Sequence, residues 1–401
     1  MLTRFRVQNF LCLKDVTVDL GPLTIFIGPN SSGKSALFKA MGTLSRLMRF
    51  PVRGDVKGDF NVEPGITFDD AVWHGDTSQP ITFSVWFRDN PTAEPDYTME
   101  LKRGYAGWSV TNEGFMFEGQ WQNTSERGFT LPDLLGQGKK WATPARATLP
   151  YQTYYASRDP KFAQYLQPIQ NIRDKIGVVR RYRPSPSDVA SFVKLLPSQN
   201  RQGELEVDES GKRFPIALQN VWKADRSTFE TIQQKLHEMH PHINNIDFLV
   251  DWRGTGILYK TDRVPFGTPA SLESDGVLLS SFLLWRLYTS GDNFKLCLEE
   301  PENGVHVASL RQRYECLKSF LATTGGERHV QILVSTHSRD LLNAIQSRQS
   351  MLDEIRVVEF DQVEGTSIHT LHHYRQINQL LDEVRNQLGD LWWSNRLKHG
   401  G

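Results

Sequence analysis

The sequence predicts an α/β protein: a mixed or parallel sheet flanked by helices, an antiparallel β lobe beside it, and a helical insertion between the two ends of the sheet. Three observations carry this. Residues 23–27 (LTIFI) are continuously apolar, as in a strand buried on both faces, and lead through a tight Gly/Ser turn into a helix beginning at Lys34. Residues 2–8, 14–20, 81–87, 97–103 and 107–119 alternate apolar and polar side chains, as half-buried antiparallel strands do. The final third alternates helix and strand, which implies parallel crossovers.

Taken in order, two alternating strands precede the apolar one, and a helix then runs over 34–49. Gly and Pro punctuate 51–65, which reads as a loop. The meander of 81–119 joins the N-terminal strands in one lobe. From 130 to 245 helix and loop mix; PKFAQYLQPIQNIRDKI and STFETIQQKLHEMH are the clearest helices, and the Pro/Ser/Gly-rich stretch between them reads as surface loop. Residues 246–261 read as a hairpin turning near Gly254 and Gly256. Then follow a helix at 276–288, a strand at 295–300, a helix at 307–322, a strand at 329–336, a helix at 338–348 and a strand at 355–360. These late strands and the strand at 23–27 are expected in one sheet, split by the insertion of 80–270. Residues 372–401 read as one amphipathic helix and a tail.

Composition sets the class more than the function. The 401 residues are 39% hydrophobic and 23% charged, ordinary for a globular chain with enough core for two or three domains. No apolar run reaches the roughly 20 residues of a membrane span; LLSSFLLWRLY comes nearest and is interrupted by Arg286. The N-terminus lacks a signal-peptide core, and Cys12, Cys297 and Cys316 are too far apart in sequence for a zinc motif or a disulfide framework. The expected setting is cytoplasmic and reducing, with no membrane partner. Forty-six basic and 46 acidic residues leave a formal net charge of zero, so bulk charge lends no support to nucleic-acid binding and does not exclude a local basic face.

The chemistry begins in the turn. Gly28-Pro29-Asn30-Ser31-Ser32-Gly33-Lys34-Ser35 fits G-x-x-x-x-G-K-[ST], the phosphate-binding P-loop. Its glycines let successive N–H groups converge on one anion, and the following helix adds its positive N-terminal end. Lys34 is expected to reach the β- and γ-phosphates and Ser35 to ligate Mg²⁺. The strand Lys295–Leu298 ends in Glu299-Glu300-Pro301-Glu302-Asn303, an apolar strand closed by two carboxylates as in a Walker B motif: the first supports Mg²⁺ and the second polarises the attacking water. One strand further on, QILVSTHS places His337 at a strand tip, where ligands bind in open α/β sheets. Ser274-Asp275-Gly276 opens the helix before Walker B and forms a second anion site that does not obviously belong to the same pocket.

GPNSSGKS, SDGVLLSSFLL, LCLEEPENGVH and LVSTHS, in that order and spacing, resemble the ABC-type ATPases of the SMC/RecF superfamily. The likeness is nearest to the OLD-like branch, which includes AAA-family ATPases of bacterial anti-phage systems, and covers roughly 1–120 and 265–370. The resemblance implies an ABC-ATPase head arranged as an N-terminal lobe at 1–125, a mixed helical insertion at 126–262, a C-terminal lobe at 263–371 and a terminal helix with its tail at 372–401. It implies that ATP is held by Gly28 to Ser35 with Ala36, and that Ser274 and Gly276 are the signature motif. Glu299 and Ser35 would hold Mg²⁺, Asn303 to His306 would be the D-loop, and Glu300, His337 and Lys34 would be catalytic. In this superfamily two heads sandwich two ATPs, the signature serine of one facing the γ-phosphate held by the other.

Some positions depart from the family pattern. Glu299 stands where Asp is usual, Leu279 where the branch often has Arg, and Leu11 where an arginine commonly touches phosphate. Gln79 is the candidate for the Q-loop glutamine. The metal-binding Toprim nuclease of OLD proteins has no place in 372–401, nor does the chain carry SMC heptad arms, so a separate effector or nuclease partner is expected. Arg180-Arg181-Tyr182-Arg183 could contact nucleic acid or be a solvated turn. Arg46, Arg49 and Arg53 suit a helix C-terminus. His237, His240 and His242 suit a helix end more than a metal, and Trp392 and Trp393 should pack the terminal helix onto the body or a partner. Three functions follow: a dimerising ATPase acting as the sensor or switch of a defence system, a RecF-like ATPase acting on DNA, or a nucleotide-binding scaffold with weak hydrolysis.

Overall fold

The computed structural model describes residues 1–48, 66–87, 94–104, 107–123, 163–194, 207–262, 264–345, 348–374, 377–384 and 387–394. The loop at 51–65, Arg49, Arg53, residues 126–162 of the insertion, part of its polar stretch (195–206) and the tail from 395 lie outside the described residues.

The core sheet is assembled from both ends of the chain. Its strands are β3 (Leu23–Ile27), β8 (Val178–Tyr182), β12 (Phe294–Glu299), β13 (Gln331–Thr336), β14 (Ile355–Asp361) and β15 (Gly365–Thr370), in the order β15-β14-β3-β13-β12-β8. All neighbours pair in parallel except β14 with β15. Every residue of β3, β12 and β13 is buried, which is why each carries an apolar run, LTIFI, LCL and ILV, although Lys295 and Gln331 are buried beside them.

The second sheet is the expected antiparallel lobe. β1 (Arg4–Phe10), β2 (Leu13–Asp19), β4 (Ile81–Trp86), β5 (Tyr97–Arg103), β6 (Trp108–Phe117) and β7 (Gln120–Asn123) run in the order β2-β1-β4-β5-β6-β7. Its inward residues, Phe5, Val7, Phe83, Val85, Tyr97 and Met99 among them, share one apolar cluster with helix α1 (Lys34–Leu47). A third sheet, β11-β10-β9, extends the predicted hairpin of β9 (Asn245–Asp251) and β10 (Gly254–Thr261) by the strand β11 (Val264–Pro269).

Further helices are α2 (Phe68–Ala71), α3 (Ala163–Ile176), α4 (Pro186–Val189), α5 (Phe214–Ala224), α6 (Arg226–Met239), α7 (Asp275–Tyr288), α8 (Val307–Arg328), α9 (Arg339–Ala344), α10 (Arg348–Glu354), α11 (Ile377–Glu383) and α12 (Leu388–Trp393). Helix α7 is the apolar axis of the second cluster: Val277, Leu278, Phe282, Leu283 and Leu284 pack with α5, α6, β10 and the strands β12 and β13. Among the described residues no helix is long and apolar enough to cross a membrane.

Several expectations are corrected. The strand predicted at 295–300 stops at Glu299, because Glu300 turns into the left-handed region at φ 48°. The helix predicted at 338–348 is instead α9 and α10, and the single terminal helix is α11 and α12; Trp392 packs on the core while Trp393 is 70% exposed. Residues 178–182, inside the span 126–262 assigned to the insertion, form an edge strand of the core sheet, so that span contributes to the site's own framework. His237 Nδ1 donates to the Ile243 carbonyl at 2.8 Å, and His240 Nε2 lies 2.9 Å from Ser280 Oγ, so two of the three clustered histidines serve packing.

Candidate functional site

The P-loop leaves β3 at Ile27 and enters α1 at Lys34. Ser31 (φ 64°) and Gly33 (φ 108°) both occupy left-handed backbone, which turns consecutive N–H groups inward. Space as well as torsion demands the glycines. A Cβ on Gly28 would lie 2.4 Å from the Val358 carbonyl oxygen, and one on Gly33 would lie 2.2 Å from Thr366 Oγ1. Thr366 Oγ1 donates to the Ser32 carbonyl at 2.9 Å, so β15 braces the loop from outside. Within the loop Pro29, Asn30 and Ser31 are exposed, whereas Ser32 and Lys34 are buried, as is Ala36 on the first turn of α1.

The Lys34 ammonium folds back over its own loop, donating to the carbonyls of Gly28 (2.8 Å) and Pro29 (2.7 Å). Burial pulls its pKa down, and the charges of Glu300, Glu299 and Glu302 pull it up in part. Ser35 Oγ donates to Glu299 Oε2 at 2.6 Å, across a sequence separation of 264 residues. The structure thus brings Lys34, Ser35 and Glu299 together at the carboxyl ends of β3 and β12.

Glu300 completes the group. Its left-handed backbone is held by its own N–H to the Ser335 carbonyl (2.8 Å) and by Asn303 N–H to its carbonyl (3.0 Å). A non-glycine residue in this region is a strained feature of the kind that clusters at functional sites. Its side chain receives Asn303 Nδ2 at 2.9 Å and lies 3.6 Å from His337 Nδ1. Glu302 lies deeper: Thr336 Oγ1 donates to it at 2.6 Å, and burial pushes its carboxyl pKa up.

Ser274 and Gly276 stand elsewhere in the chain's own fold. Ser274 is exposed and caps α7, its Oγ accepting from the Val277 N–H at 3.4 Å. Asp275 packs against Gly304, whose φ of 71° strains any other residue and where a Cβ would sit tightly, 3.1 Å from the Asp275 Cβ. Leu279, where the OLD-like branch often has Arg, is 4% exposed and belongs to the core.

Sequence reasoning missed four things. Arg313 is buried and donates to the carbonyls of Pro301 (2.9 Å) and Gly276 (3.1 Å) and to Ser280 Oγ (3.2 Å), tying the signature helix to the turn after Glu300. Thr366 lies on a strand with no apolar run to announce it. Gln79, the Q-loop candidate, precedes β4 in the antiparallel lobe, where its carbonyl accepts from Asn9 Nδ2. The strand beside Walker B is β8, and Arg180 to Arg183 is its end, not a solvated turn. Arg181 meets Glu299 at 3.3 Å and also pairs with Glu209, while Arg183 meets Glu300 at 2.5 Å. The one available signal was VVRRY itself, a short β-prone run.

A P-loop between parallel strands, facing a carboxylate pair and a histidine at neighbouring strand tips, defines a P-loop ATPase head. Two family models match the chain: "AAA ATPase domain" over residues 1–176, and "AAA domain, putative AbiEii toxin, Type IV TA system" over residues 162–343. Each model covers less than half of the chain, and together they span residues 1–343 with similarity to AAA-type ATPase domains. A stretch of 41 residues is 49% identical to the OLD nuclease of Thermus scotoductus (strain ATCC 700910 / SA-01), spanning 10% of this chain and 8% of that protein. Among solved structures, the SMC head domain from Thermotoga maritima aligns over 92% of this chain and 98% of its own, with 11% identity and a TM-score of 0.43. An SMC head bound to the C-winged helix domain of ScpA aligns over 92% and 97%, with 13% identity and a TM-score of 0.48.

Proposed function

We propose that this chain binds and hydrolyses ATP in a Mg²⁺-dependent manner, that two heads close face to face around the nucleotide, and that the cycle switches a separate effector in a bacterial defence system. The observation that carries the ATPase reading is the convergence of Lys34 and Ser35 on Glu299 and Glu300 at the strand tips. Lys34 and the loop N–H groups take the phosphates. Glu300, with Asn303 and His337 beside it, holds the acceptor that orients the attacking water. The hydroxyl of Ser35 and the carboxylate of Glu299 present the hard oxygen donors that suit Mg²⁺, which would neutralise phosphate charge when bound. Exposed Ser274, which caps α7 and makes no bond to the Lys34–Ser35–Glu299 group, would serve the second head in this reading.

The defence role draws on the likeness to an OLD nuclease and to a model described as a putative AbiEii toxin. Direct action on nucleic acid is favoured less, because Arg181 and Arg183 are engaged with carboxylates. The second reading, a scaffold that binds nucleotide and turns it over poorly, is favoured by one observation: Glu300 already has an arginine partner.

The test combines fluorescent-ATP binding, phosphate release and solution mass. Lys34→Ala should lose at least about tenfold in ATP affinity, the scale of a charged hydrogen-bonding group. Glu300→Gln should retain ATP and accumulate as dimers. Glu300→Gln remaining monomeric at saturating ATP and Mg²⁺ would remove the two-head reading, and wild-type binding without turnover would select the scaffold.

A further inference from the structure

The two arginines at the end of β8 enter the site through strand register. β8 lies parallel to β12 with Cys297 opposite Arg181 and Leu298 opposite Tyr182. Alternation then puts Arg181 and Arg183 on the face that carries Glu299. Tyr182 points the other way, its ring edge-on to Phe282 of α7 at 5.3 Å. The backbone beyond is fixed too, with Arg183 N–H donating to the Glu209 carbonyl at 2.8 Å and Ser185 N–H to the Ser210 carbonyl at 2.8 Å. The two side chains differ in freedom. Arg181 is 15% exposed and sits between Glu299 and Glu209, whereas Arg183 is 63% exposed on a fixed backbone and can swing.

Charge makes the difference matter. Glu299, Glu300 and Glu302 all act on Lys34, the one cation that the P-loop motif itself supplies. A nucleoside triphosphate entering there brings its most negative end toward Glu300, and the two repel unless a cation stands between them. The planar guanidinium of Arg183, already on Glu300, can accept both partners, since its donors fork toward two oxyanions at once.

We propose that Arg183 is a positioning residue that bridges Glu300 and the terminal phosphate of a bound nucleoside triphosphate, so that β8 reads triphosphate against diphosphate. The proposal rests on the ATP-site reading. In it Arg181 stays with Glu299 as a fixed counter-charge. Arg183 is the mobile one: it holds the carboxylate before nucleotide arrives and screens it from the phosphate afterwards.

The experiment measures binding of a fluorescent non-hydrolysable ATP analogue and of fluorescent ADP, both with Mg²⁺, to wild type, Lys34→Ala, Arg183→Ala, Arg183→Lys, Glu300→Gln and the Arg183→Ala/Glu300→Gln pair. Arg183→Ala should weaken the triphosphate analogue by about tenfold, the worth of one hydrogen bond to a charged group, and leave ADP within about twofold. Arg183→Lys should recover part of the loss, as a point charge without the fork. With Glu300→Gln as background the loss should shrink to about threefold, because the two residues are coupled. Equal weakening of both nucleotides, or none, overturns the proposal and leaves Arg183 as a strap between two strands. Wild type failing to bind the analogue more tightly than Lys34→Ala does would instead overturn the ATP-site reading beneath it.

Discussion

The P-loop turn and helix α7 are held by opposite kinds of contact. Around the loop the side chains are charged or polar and each meets a carboxylate: Ser35 on Glu299, Arg181 on Glu299, Arg183 on Glu300, His337 near Glu300. In the proposed nucleotide site each of those partners would exchange for a phosphate oxygen or a cation. Around α7 the bonds are buried or half-buried and their acceptors neutral: Arg313 on two carbonyls and Ser280, Tyr259 Oη on Ser281 Oγ at 3.0 Å, Ser281 Oγ on the Val277 carbonyl at 2.9 Å. Nothing in a nucleotide can replace those. One region is built to change partners and the other to present exposed Ser274 on a rigid mount.

The rigid side is where substitution should cost most stability. Arg313 is 5% exposed, and burial pulls its pKa down to about 10. Arg313→Ala removes a desolvated charge, a small gain, but takes the donor from the half-buried carbonyls of Pro301 and Gly276 and from Ser280 Oγ, which keeps only His240, and leaves a hole beneath the helix. A loss of about 3 kcal/mol is expected by chemical denaturation. If the loss is under about 1 kcal/mol, Arg313 does not lock α7 and the contrast fails.

What the sequence disclosed follows the same division. The P-loop, the Glu299–Glu300 pair and His337 were legible because each needs particular residue types at fixed spacing, and β3, β12 and β13 because burial on both faces leaves a short apolar run at the centre of each. β8 was illegible because it is an edge strand whose arginines point into a site made by distant residues; in one dimension VVRRYR is a basic surface patch. β15 was missed since GTSIHT is mixed in polarity and is specified by its pairing with β14 and by Thr366 against the loop. Arg313 lies in the long helix α8 and looks like any solvated arginine until Gly276 and Pro301 are seen beneath it. Contacts between remote segments leave no local period to read.

A milder probe of the rigid side is pH. His240 sits against Ser280, with Arg313 and His242 as the charged and titratable neighbours that depress it, and its pKa is lowered to about 4, first by burial, then by Arg313 and then by His242. The unfolded chain takes up this proton near the ordinary histidine value, the folded one only near 4. Between those values the unfolded state binds more protons, so stability falls as pH drops from about 6.5 to 4. With the ring partly exposed, the contribution is about 1–2 kcal/mol. Thermal melts of wild type should show this extra acid loss, and His240→Gln, which keeps a polar group toward Ser280, should lack it. Parallel pH curves for the two proteins would take His240 out of the locked set.

The exchangeable side should answer differently. In Glu299→Gln the amide oxygen still accepts from Ser35, and Arg181 keeps Glu209, so no buried charge is abandoned. Stability should change by less than about 1 kcal/mol, well below the cost of breaking a buried pair that has no alternative partner. The charge facing Ser35 is gone, however, and with it the donor that favours a divalent cation. Nucleotide affinity measured with Mg²⁺ and with EDTA should therefore differ in wild type and converge in Glu299→Gln. A large loss of stability with the Mg²⁺ dependence intact would mean that Glu299 is a structural strut, and that the phosphate side is as fixed as the signature helix.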